Sequence, residues 1–303
     1  MNIEMGGEYV RKAYFSDPNF FNLVYGRGII ATFTNYYIIP FLWFYLIYVM
    51  DKDKGSFNFT FYFLLILLIM YNASYSGRFF IYFSLIVLYL RCIVTGISFL
   101  AFFRKNIIII LFFILASYFI LVNRQYEYGA EINFYDNMLS IFEYHAIPPY
   151  LLSQKIDTGT FVFDQSYYPF RVVVENLLIP IYILFFDGNI NDLIYFEHVG
   201  NILSDPTLYS NYSMTYYNAY GTMFYFFYAD TRIFSPIFAF IMIGYIFLSS
   251  KFINDKSIRV KYLAFVSLIL YFSLFQAMIF SPGYLLIIFG LPLFYLFFSK
   301  RNR

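Results

Sequence analysis

Cysteine is almost missing from this chain: Cys92 is the single one in 303 residues. One thiol excludes an internal disulfide and every metal site built from several cysteines. Charge is scarce too, at 13% Asp, Glu, Lys and Arg against 61% hydrophobic residues, a balance that excludes a soluble domain with an ordinary polar surface. The formal net charge of +2 gives no electrostatic reason to expect a nucleic-acid partner. No secretory signal is visible, because residues 1–28 carry Glu4, Glu8, Arg11, Lys12 and Asp17 and lack an apolar core. A Walker loop, CxxC, HExxH, GxSxG and DxD are all absent. Nucleotide-driven, zinc and serine-hydrolase chemistries therefore have no motif to rest on, and nothing calls for a metal or a cofactor.

What the chain has instead is apolar length. Seven stretches are candidate spans, at roughly 29–50, 57–71, 79–99, 106–122, 234–250, 262–280 and 283–299, so the expected fold is an all-α polytopic membrane protein. The second stretch is short for a perpendicular span. Pro40 and Pro292 fall inside spans, where neighbouring helices and local adjustment must re-satisfy the freed backbone. Ser281-Pro282-Gly283 is a turn signal joining the last two. Phe and Tyr number 43 and 34, an excess that interfacial belts and an AT-rich coding bias both produce, so no aromatic is given a role on abundance alone.

Residues 123–233 interrupt this pattern with one long, mostly polar loop carrying twelve acidic residues against Arg124, Lys155, Arg171 and Arg232. If the spans alternate, Lys52, Lys54, Arg104, Lys105, Lys251, Lys256, Arg259, Lys261, Lys300, Arg301 and Arg303 share one side, which is then cytoplasmic. The organisation expected is a polar tail at 1–28, a four-helix membrane block at 29–122, a periplasmic loop at 123–233, and a three-helix block with a basic cytoplasmic tail at 234–303. The tail, with Arg11, Lys12 and Arg27, then lies outside, as expected of a chain truncated from a longer one with helices upstream. Leu177–Phe186, holding Pro180 and closed by Asp187-Gly188, is ten residues, too short to span and expected to be an interfacial or re-entrant piece.

Chemistry needs polar groups at the outer end of the bundle. Arg78, closing Asn72-Ala-Ser-Tyr-Ser-Gly-Arg78, stands at headgroup depth, where a guanidinium grips a pyrophosphate by paired charge-assisted hydrogen bonds; the plainer assignment is an interfacial anchor. Arg171, after Tyr168-Pro169-Phe170, is a second candidate of the same kind. Glu143 and His145, beside Pro148-Pro149, offer a general base and its orienting partner, though two residues apart on a helix they would not face each other. Asn218, Tyr220 and Gly221, with Arg124 and Arg232 at the two ends of the loop, are candidates for holding substrate, against an interfacial aromatic belt. Glu175, Glu197-His198 and Asp205-Pro206 read as exposed loop. Arg91, deep in the third span, is costly there and so a functional candidate.

Taken together, the aromatic-rich spans, Ser76-Gly77-Arg78, Tyr144-His145-x-x-Pro148 in a single large loop, and Asn218-x-x-Gly221-Thr222 before the next span resemble the O-antigen polymerase family, the Wzy-type oligosaccharide repeat unit polymerases. The resemblance covers roughly 55–299. It departs from the family in having seven spans rather than ten or more, and in Asp230-Thr231-Arg232 where an Asp-Phe-Gly-like end to the loop is usual. It implies an enzyme of the bacterial inner membrane. Undecaprenyl-pyrophosphate-linked oligosaccharide would be its substrate, and a chain-length regulator and a flippase its partners. It further implies metal-independent block transfer in which Arg78 and Arg171 stabilise the departing pyrophosphate and Glu143 or His145 assists the acceptor hydroxyl. A lipid-linked oligosaccharide flippase, a glycan ligase, a membrane O-acyltransferase and a non-enzymatic membrane partner are the competing readings.

Overall fold

The computed structural model describes residues 33–50, 58–73, 79–105, 170–186, 208–210, 215–217, 223–274 and 278–298, with a few isolated positions between them. The 1–28 tail and most of the fourth expected span lie outside the described residues. Those described are helical apart from one hairpin, β1 (Leu208–Ser210) against β2 (Thr215–Tyr217), antiparallel with Leu208 opposite Tyr217. The chain divides into two compact units, the first made of Met1–Asn35 and Ile39–Asn133 and the second of Tyr36–Ile38 and Phe134–Arg303.

In the first unit, α1 (Ile39–Val49), α2 (Phe59–Ala73), α3 (Phe79–Thr95) and the short α4 (Phe99–Lys105) follow one another. Trp43 and Phe83, both fully buried, meet edge-on at 4.3 Å and lock α1 to α3. Asn58 joins two helix ends at once. Its Oδ1 accepts from the Phe61 N–H at 2.9 Å, capping α2, while its Nδ2 donates to the Val49 carbonyl at 2.9 Å, satisfying an end group of α1. Gly96, at φ +69, takes the left-handed position that ends α3.

In the second unit, α5 (Arg171–Phe186) and α6 (Met223–Thr231) precede α7 (Arg232–Phe252), α8 (Lys256–Ser273) and α9 (Pro282–Phe298). Asp255 caps α8 by accepting from the Ile258 N–H at 3.0 Å. Helix α8 thus starts two turns earlier than the apolar run at 262, and Lys256, Arg259 and Lys261 lie within it. Pro292 falls inside α9. It has no N–H, so the Ile288 carbonyl four residues before it loses its usual helical donor. The backbone widens there into a π turn, Leu286–Gly290, and the Tyr262 hydroxyl of α8 donates to Ile288 O at 2.7 Å. A second π turn, Thr34–Ile38, stands just before Pro40.

Helix α7 is apolar on every side. Ala239, Met242 and Ile246 face inward at helical spacing, while Ile233, Ile237, Phe240 and Leu248 are exposed, Phe240 at 77%. With 21 residues and a mean hydropathy of 2.0, it is the one helix among the described residues that is both long and apolar enough to cross a membrane. Helices Phe59–Tyr71, Phe83–Thr95 and Pro282–Phe298 are apolar but shorter. This architecture is compatible with an α-helical membrane protein.

The second unit has two distinguishable ends. At one, α5 and α6 pack on each other and on the turn Met278–Phe280, and α5 also packs on the start of α9. At the other, the last turn of α7, Ser250–Phe252, packs on α8 and on the last turns of α9, near Lys251, Lys256 and Arg259. The 21 residues of α7 separate the two ends by about 30 Å at helical rise.

Candidate functional site

Helix α5 is longer than its apolar part. It begins at Arg171, six residues before Leu177, and runs 16 residues with Pro180 accommodated within it. The ten-residue boundary expected from hydropathy is therefore corrected. The first turns, Arg171 to Asn176, belong to the same helix because their polar side chains find partners on their own helix and the Val172 N–H finds one on α6.

Those partners define the site. Arg171 Nε donates to Glu175 Oε1 at 2.7 Å, an i,i+4 ion pair whose side chains are 14% and 11% exposed. Asn176 Nδ2 donates to the Val172 carbonyl at 2.7 Å. The Val172 N–H in turn donates to Asp230 Oδ2 of α6 at 3.0 Å, a contact between residues 58 apart in the chain. Asp230 is 2% exposed and Asn176 6%. Glu175 is buried, which corrects its reading as exposed loop, and its Oε2 is enclosed with no hydrogen-bond donor among the described residues.

Electrostatics explains why Asp230 is tolerated. A carboxylate in the last turn of its own helix meets the negative end of that dipole. Here it lies instead against the first turn of α5, whose unpaired N–H groups and positive end favour an anion. Thr231 Oγ1 donates back to Phe227 O at 2.9 Å, closing α6. Phe226 and Phe227 pack on Phe280, each at 5.4 Å between centroids, and hold α6 on the Met278–Phe280 turn. Burial pushes the Tyr225 phenol up, keeping it neutral beside them.

Backbone strain brackets the Asp230–Val172 bond. Phe170, the residue before α5, has φ 62, and Arg232, two residues after Asp230, has φ 49. Left-handed backbone at a non-glycine residue costs about 1–3 kcal/mol and persists only when the surroundings over-determine it. The Phe170 ring packs edge-on against Phe238 of α7 at 5.5 Å, and the Val174 N–H donates to Phe170 O at 3.0 Å. Both anchor the strained residue.

Of the side chains proposed from sequence, Arg171 lies at the centre of this cluster and Arg232 is exposed at its edge. Arg78, Arg124, Glu143, His145, Asn218, Tyr220 and Gly221 lie outside the described residues. Sequence reasoning undervalued Glu175, Asn176 and Asp230. The Arg171-x-x-x-Glu175 spacing was a usable signal; Asp230 has no local one, because what it caps is remote in sequence. Arg91, in the first unit, is 3% exposed, with its guanidinium carbon 4.5 Å from the Phe61 ring centre and 4.9 Å from that of Tyr62. Among the described residues no group of three or more His, Cys, Asp or Glu is arranged to hold a metal ion.

Comparisons of the chain with protein-family models, with curated proteins and with solved structures return no match.

Proposed function

We propose that this chain is a multi-pass inner-membrane glycosyltransferase. It joins undecaprenyl-pyrophosphate-linked oligosaccharide repeat units into a surface polysaccharide on the periplasmic face. The observation that carries this reading is the convergence of Arg171, Glu175, Asn176 and Asp230 at the end of the second unit remote from Lys251, Lys256 and Arg259. A polar, charge-bearing site at that end supports this reading, in which the basic end of an apolar bundle faces the cytoplasm and the lipid-linked donor presents its pyrophosphate at the opposite end. The resemblance in motif layout to O-antigen polymerases supports the same assignment.

In the proposed reaction a hydroxyl of the acceptor's non-reducing sugar attacks the anomeric carbon of the donor glycan. The new glycosidic C–O bond forms as the bond to the pyrophosphate breaks, and undecaprenyl pyrophosphate leaves with the bonding electrons. Negative charge grows on the leaving group, so a fixed guanidinium stabilises the transition state more than the ground state. Arg171 supplies it here, with Arg78 as a second cation, and Glu143 or His145 accepts the acceptor's proton. Chain-length regulation and delivery of repeat units by a flippase would be functions of partner proteins. Arg124, Asn218, Tyr220, Gly221 and Arg232 would contact the glycan.

Complementation of a polymerase-null strain tests the reading. The wild-type chain restores a ladder of long polysaccharide on a gel. Arg171→Ala and Arg78→Ala each leave only the single-repeat product. A ladder from Arg171→Ala removes that residue from the mechanism. If the intact chain restores no ladder but rescues a strain unable to move repeat units outward, it is a flippase.

A further inference from the structure

We infer that Asp230 is a positioning residue for Arg171: its carboxylate is the cap that fixes the first turn of α5, and with it the direction in which the guanidinium projects. Among the described residues helix α5 has no side-chain cap of its own. The residue at its N-terminal boundary is Phe170, which has no side-chain oxygen to offer and sits at φ 62. The role a Ser, Asn or Asp at that position would play passes to a carboxylate on another helix, which accepts the Val172 N–H at 3.0 Å. Val172 is the neighbour of Arg171, and Glu175, the ion-pair partner, is one turn further on. A shift of the Val172 amide therefore moves both ends of the pair.

The contact joins α5 to α6, and it is enclosed, Val172 being fully buried and Asp230 nearly so. The strained residues Phe170 and Arg232 flank it on the two segments. Asp230 thereby couples the start of α5 to the point where α6 turns into α7. This inference rests on the proposed function for its catalytic readout and not for its structural one.

The experiment uses the full chain in lipid nanodiscs, comparing wild type with Asp230→Asn and Asp230→Ala. Two measurements are made: backbone hydrogen exchange in the segment 170–176, and initial rates against concentration of an undecaprenyl-pyrophosphate-linked repeat unit. Asp230→Ala is expected to raise exchange of the first-turn amides tenfold or more. It is also expected to lower kcat at least tenfold, with KM for the donor changed less than about threefold, the pattern of a lost transition-state contact. Asp230→Asn keeps an acceptor oxygen and is expected to hold both values within about threefold of wild type. Should the alanine protein fail to fold, Asp230→Glu, which displaces the carboxylate by one methylene, carries the alanine expectation.

Unchanged exchange in the displaced variants overturns the inference. Raised exchange with unchanged kcat overturns it too, leaving Asp230 as a stabilising cap alone. If wild type forms no polymer, the polymerase reading fails by itself. The positioning of α5 then stands or falls on whether exchange rises with alanine and is restored by asparagine.

Discussion

A charged side chain survives inside an apolar bundle only when something nearby answers its charge, and three residues here do so by three different means. Asp230 uses a backbone N–H and the positive end of a foreign helix. Glu175 uses Arg171. Arg91 uses two aromatic faces, those of Phe61 and Tyr62. A planar, weakly hydrated guanidinium stacks on rings in a way an ammonium does not. Arg91→Lys is therefore expected to destabilise the first unit by about 1–2 kcal/mol, read as a lower melting temperature in detergent; an unchanged melting curve would show that the ring contacts contribute nothing. At the site, Glu175→Gln keeps the volume and removes the ion pair. It is expected to leave the fold intact and, on the proposed function, to reduce polymer formation, because Arg171 loses the charge that orients it; full-length ladders from this variant would count against the pair. The Arg–Glu spacing was readable in the chain, whereas the burial of Glu175 was not, since it depends on what α6 and the Met278–Phe280 turn bring against α5.

At the scale of elements, proline shows how much a pattern can announce and how much it withholds. Pro40 and Pro292 mark spans that need a local adjustment, and both are preceded by a π turn. For Pro292 the adjustment is completed by the Tyr262 hydroxyl, 26 residues away, on the carbonyl whose usual helical donor the proline removes. Removing that donor in Tyr262→Phe is expected to cost about 1–3 kcal/mol. Pro292→Ala gives Ile288 a backbone donor again, so the double variant should lose less than Tyr262→Phe alone. Thermal unfolding of the three proteins measures the coupling, and strictly additive shifts would separate the two features. Helix ends follow a related logic. Asp255 caps α8 from the residue just before it, and α8 starts there. Helix α5 starts where no local cap exists, which is why hydropathy alone began it at Leu177.

For the whole molecule, the exposed side of α7 is as apolar as its packed side, and that fits lipid better than water. The proposed orientation has a direct test, aided by a chain whose one cysteine, Cys92, is buried. Tyr150→Cys, in the long loop and exposed, should react with a membrane-impermeant maleimide on intact cells. Ser257→Cys, among the basic residues at the start of α8, should react only after permeabilisation. Labelling in the reverse order would put the 123–233 loop in the cytosol and end the periplasmic reading.

The amino-acid sequence by itself determined the class of secondary structure, the proline sites and the asymmetry of basic residues, because composition, hydropathy and charge placement are local quantities. Tertiary structure alone decided that Asp230 caps α5, that Glu175 is enclosed, and that Tyr262 completes α9. Each of these joins groups 26 to 58 residues apart or burial by a remote element. A hydrogen bond across helices leaves no trace in periodicity, since either partner is an ordinary residue until packing brings the other to it.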